Sequence, residues 1–144
     1  MFDLDKLYEL REKMVICKNL HEINVFFMDY FGENPEFIAI GAPPKDTEFM
    51  ETLIAEAVSK IFNTNKIVLS HRAFVHIEEY EFIHGCFFGN GKPMSILYFE
   101  DLKLGVLCVL ESFFGSGEIK YSRFMAATQE EIIKRLKEAG RSEK

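Results

Sequence analysis

Met94-Ser95-Ile96-Leu97-Tyr98-Phe99-Glu100 and Leu104-Gly105-Val106-Leu107-Cys108-Val109-Leu110-Glu111-Ser112, joined by Asp101-Leu102-Lys103, decide the fold. Both runs read with period two, with Ile96, Tyr98 and Phe99 in the first and Val106 and Val109 in the second, and a polar turn separates them. That is the pattern of adjacent antiparallel strands. Working outward, Lys66–His76, Tyr80–Phe88 and Glu118–Phe124 carry the same period-two pattern. Asn90-Gly91 between the second and third strands is a strong two-residue hairpin signal, because both turn positions need positive φ. The stretch therefore predicts a five-strand antiparallel meander.

The N-terminal half reads differently. Leu4, Leu7, Tyr8, Arg11 and Met14 recur at helical spacing behind Asp3, a good N-cap. Asn24-Val25-Phe26-Phe27-Met28-Asp29-Tyr30-Phe31 has strand-like composition, although Leu20, Ile23, Phe27 and Phe31 fit one helical face. With Gly32-Glu33-Asn34-Pro35 as a turn and Phe37–Ile40 as a return strand, composition favours a hairpin here. Asp46 is expected to cap a helix to Asn63, with Phe49, Leu53, Ala57 and Ile61 on its apolar face and Glu48 and Glu51 in its first turns. Thr128 and Glu131 form a capping box for a last helix that Gly140 ends. The expected fold is a single α+β domain over residues 1–144, in the order α-ββ-α-βββββ-α.

Strand parity gives a register. Turns at Glu78-Glu79, Asn90-Gly91 and Asp101-Leu102 set His71 opposite Cys86, Ala73 opposite His84, Cys86 opposite Ser95, and Ser95 opposite Cys108. His71, Cys86, Ser95 and Cys108 then form a row across the inner face, with His84 one step along. A few polar groups among apolar walls suit a ligand pocket, so these five are the candidate ligand-binding residues. Imidazole and thiolate could also hold zinc, but buried cysteines and half-buried histidines are ordinary core residues, and no metal or cofactor is expected. The other face carries Ile83, Phe87, Ile96, Tyr98, Leu107 and Val109. A sheet apolar on both sides needs two covers, and the terminal helices look short, so a homodimer through the sheet is expected.

Composition narrows the function. The chain has 144 residues, 48% hydrophobic and 28% charged, with a net charge of -6. No basic excess exists to neutralise phosphates, so neither nucleic acid nor an anionic membrane surface is an expected partner. Three widely spaced cysteines, no secretory leader pattern and no long apolar run predict a soluble cytoplasmic protein. Apparent catalytic motifs dissolve. His21-Glu22 begins a zincin pattern, but Val25 stands where its second histidine belongs. Gly89-Asn90-Gly91-Lys92 and Gly115-Ser116-Gly117 lie between strands, with no helix N-terminus to hold a phosphate. Glu78, Glu79 and Glu81 read as solvated charge at a hairpin tip.

By element order alone the chain is similar to small sensor and scaffold modules of the roadblock, profilin-like and PAS or GAF type. That resemblance implies a non-catalytic regulatory or scaffold module acting through a dimeric or partner-binding sheet surface. Two alternatives stand beside it. One is a small enzyme or binder of a metal or small apolar ligand using the His/Cys row; the other is an acidic chaperone for a secreted partner.

Overall fold

The computed structural model describes residues 2–39, 41–64, 68–69, 75–77, 80–82, 86–89, 92–113 and 119–134. Four helices come first: α1 (Leu4–Met14), α2 (Leu20–Glu33), α3 (Glu36–Ala39) and α4 (Pro44–Ile61). Strands follow: β1 (Val68–Leu69), β2 (Val75–Ile77), β3 (Tyr80–Phe82), β4 (Cys86–Gly89), β5 (Lys92–Phe99), β6 (Leu104–Phe113) and β7 (Ile119–Thr128). Residues 129–134 are again helical. The protein is α+β, and its sheet is antiparallel around β5, β6 and β7. Among the described residues no helix is long and apolar enough to cross a membrane.

The expected N-terminal hairpin is corrected. Asn24–Phe31 lies inside α2, and Phe37–Ala39 inside α3. The cause is local and visible. The Asn19 side chain accepts the Glu22 N–H at 2.9 Å, and the Glu22 carboxylate accepts the Lys18 N–H at 3.0 Å. This near-reciprocal cap starts a helix whose Ile23, Phe27, Tyr30 and Phe31 share one buried face. The aromatic residues that suggested a strand instead build a ring cluster against the sheet. Phe31 stacks on Phe124 with centroids 4.9 Å apart, and Phe124 meets Tyr121 at 4.6 Å.

The expected meander is corrected in part. Gly89 pairs with Lys92, leaving the two residues Asn90 and Gly91 between β4 and β5 as anticipated. Of the segment expected to be one first strand, however, the described residues form β1 and β2, which belong to different sheets. β2 pairs with β3 in a separate two-stranded ladder, with Val75 opposite Phe82 and Ile77 opposite Tyr80, the register expected for a turn at Glu78-Glu79. β1 pairs with Leu97 and Tyr98 of β5, on the edge that β4 already occupies from Lys92 to Ser95. A strand edge accepts one neighbour at a time. The short β4–β5 connection closes at the lower entropic cost, which leaves β1 only the far end.

Two layers of side chains flank the sheet. Leu97, Phe99, Val106, Cys108, Phe124 and Ala126 join the main core with Leu7, Leu10, Ile23, Phe27, Leu53 and Ile54 of the helices. On the reverse face Ile96, Tyr98, Leu107 and Ala127 pack under Ile132. The expectation of a second subunit across that face rested on terminal helices that look short. There Ile132 and Ile133 pack against it, and Ile96, Tyr98 and Leu107 are at most 2% exposed. Gly105 permits this approach, since a Cβ there would stand 2.8 Å from the Leu97 carbonyl oxygen and 3.1 Å from Ile132 Cδ1. Helix entry is fixed by Thr128, whose hydroxyl accepts the Glu131 N–H at 3.3 Å, as the capping pattern predicted.

Candidate functional site

Of the row anticipated across the sheet, Cys86, Ser95 and Cys108 fall among the described residues. Backbone register puts Cys86 opposite Ser95 and Ser95 opposite Cys108, as parity required. His71 and His84 fall outside the described residues. At the described end, Cys108 is fully buried beneath α4, in a small polar cluster that sequence reasoning missed. The Tyr121 hydroxyl donates to the Glu51 carboxylate and lies 3.4 Å from the Thr47 carbonyl. Glu51 is 4% exposed and Tyr121 1%. The signal for Glu51 was its spacing. It stands three before Ile54 and seven before Val58, an acid within an apolar stripe.

Burial dominates the chemistry of this cluster. It pushes both the Cys108 thiol and the Tyr121 hydroxyl well above their usual values, and the Glu51 carboxylate adds to each push. Removing either proton would create a second negative charge beside Glu51 in a dry interior. A cysteine so placed is a poor nucleophile, because the thiolate is the reactive form. Its hydrogen bonds tie α4 to β7.

A different place is open to solvent. A groove of about 480 Å³ lies between α2 and β7, lined by Asn24, Phe27, Met28, Phe31, Gly32 and Ile38 on one side and residues 122–125 on the other. Its volume falls within the range of small-ligand sites. Met28 is 77% exposed, and a Cβ at Gly32 would meet nothing within 4 Å. Among the described residues Arg123 is the only charged one lining it, and it is exposed and makes no ion pair with another of them.

The groove is built by one local interaction. The Asn24 side chain donates to the Ala126 carbonyl at 2.9 Å and accepts the Ala126 N–H at 2.7 Å. A side-chain amide thus satisfies both backbone groups of one edge residue, as a neighbouring strand would. Asn24, Met28 and Gly32 recur at helical spacing, so they form the flank of α2 that runs beside the strand. Compared with family models, with curated proteins and with solved structures, the chain matches none.

Proposed function

We propose that the chain is a non-catalytic binding module, and that its working surface is the β7 side of the sheet. The observation that carries this is the open apolar groove between α2 and residues 122–125. Apolar walls with a few fixed polar groups favour binding over bond-making. The polar cluster of Glu51, Tyr121 and Cys108 supports the same reading, since it is closed to solvent and burial makes the Tyr121 and Cys108 protons hard to remove. This keeps the partner-binding sheet surface expected from the sequence and moves it from the sheet's face to its edge.

Anilinonaphthalene sulfonate tests the proposal, because it combines an apolar body with an anion that Arg123 can meet. The chain contains no tryptophan, so its intrinsic fluorescence is low. Native protein should bind the dye saturably, and Gly32→Phe, which fills the groove from an unobstructed position, should abolish binding while leaving a cooperative thermal transition. Equal binding by Gly32→Phe would reject the groove as the working surface.

A further inference from the structure

We infer that the groove takes an extended segment of a partner polypeptide, added as a strand to the β7 edge, with an apolar side chain facing the groove opposite Phe124 and an acidic one opposite Arg123. This rests on the binding-module reading above and names the partner's chemistry.

The backbone supplies the first argument. In an antiparallel pair, residues with outward-facing N–H and C=O groups alternate with residues bonded to the neighbour. Asn24 shows that Ala126 faces outward. Two residues back, Phe124 has the same phase, and the register from Phe124 to Ala126 against Cys108 and Val106 is regular. Its outward groups therefore point into the groove. A partner that supplies an amide at each step suits this edge, and an extended peptide does so.

Length and side chains supply the second. Asn24 is fixed at Ala126 and Phe31 stacks on Phe124, so helix and strand run side by side in opposite senses. From Asn24 to Gly32 the helix rises about 12 Å. From Arg123 to Ala126, the stretch of regular register, the strand advances about 10 Å. Because Asn24 already holds Ala126, the slot takes about three residues of extended chain, centred on Phe124. Successive residues of an added strand would face opposite sides. Opposite Phe124, a side chain meets the layer of Phe27, Met28 and Phe31; opposite Arg123, it meets an exposed guanidinium. Charge complementarity at that one step selects an acid.

The test uses the full chain and fluorescein-labelled octapeptides of alternating valine and glutamate, read by anisotropy. Saturable binding is expected. N-methylation of one alternate set of backbone amides should abolish it, while methylation of the other set should be tolerated. Arg123→Glu should weaken the glutamate peptide by about tenfold, on the scale of one charge-assisted contact, and should restore binding to the matching lysine peptide. Equal binding by both methylated forms, or no restoration by the charge swap, overturns the strand inference. If no peptide binds while the dye still does so in a Gly32-dependent way, the strand inference fails and the binding-module reading stands. If neither binds, both fail.

Discussion

Replacing Asn24 with alanine should destabilise the protein by about 1.5 kcal/mol. Asn24 makes two hydrogen bonds to one backbone unit, at 2.9 and 2.7 Å, and Ala126 is 3% exposed. Each such bond contributes about 1 kcal/mol net, so their loss costs about 2 kcal/mol. Alanine is the better helix former, which returns about 0.5 kcal/mol within α2. Asn24→Asp should cost at least as much. It keeps the acceptor for the Ala126 N–H but sets a carboxylate against the Ala126 carbonyl. Urea denaturation followed by circular dichroism measures both, with the exposed residue Asp29→Ala as a control expected within about 0.5 kcal/mol of the parent. If Asn24→Ala matches that control, the edge clamp and the placement of α2 against β7 are wrong.

Other consequences follow from single positions. Gly105→Ala sets a methyl group against the Leu97 carbonyl and Ile132, and should destabilise by about 1–3 kcal/mol in the same assay; a neutral result would mean residues 129–134 do not pack there. Cys108 should resist a disulfide-exchange reagent at pH 8 in native protein and react fully in guanidinium, checked by peptide mass mapping; native labelling would contradict its burial. Tyr30 is held at about 12 by burial, with Glu9, Glu36 and Asp3 adding to the rise. The native state therefore keeps this proton where the unfolded chain releases it, and stability falls as pH rises above 10. At pH 12 the loss attributable to Tyr30 is about 2 kcal/mol, and Tyr30→Phe should remove that part of the alkaline decline.

The sheet was more legible than the helices around it. Period-two alternation and the turn at Asp101-Leu102 placed Ser95 opposite Cys108, and Asn90-Gly91 placed Cys86 opposite Ser95. Both rest on short-range chemistry. What failed was a conflict between composition and spacing at Asn24–Phe31. Strand propensity is a weak guide where aromatics find tertiary partners, and Phe27, Tyr30 and Phe31 find Phe124 and Phe37. Asn19 with Glu22 three residues on was the signal that could have settled it.

The candidate site was less legible for the same reason. The groove exists because α2 is a helix, so a hairpin reading hides it. Asn24 as a strand mimic depends on residues 102 apart in the chain, and no local pattern announces such a contact. That β1 and β2 of the first expected strand belong to different sheets was equally hidden, because period two marks a strand without naming its neighbour. The cover over Ile96, Tyr98 and Leu107 depends on the close approach that Gly105 allows, which alternation does not encode.

Nitrogen-15 amide spectra of the full chain, recorded during titration with anilinonaphthalene sulfonate, test whether the proposed β7 edge beside α2 is the binding surface. Saturable shifts are expected at the Asn24 side-chain amide, Met28, Gly32 and residues 122–125. Shifts confined to the face under residues 129–134, or no saturable shift at all, would contradict the proposal.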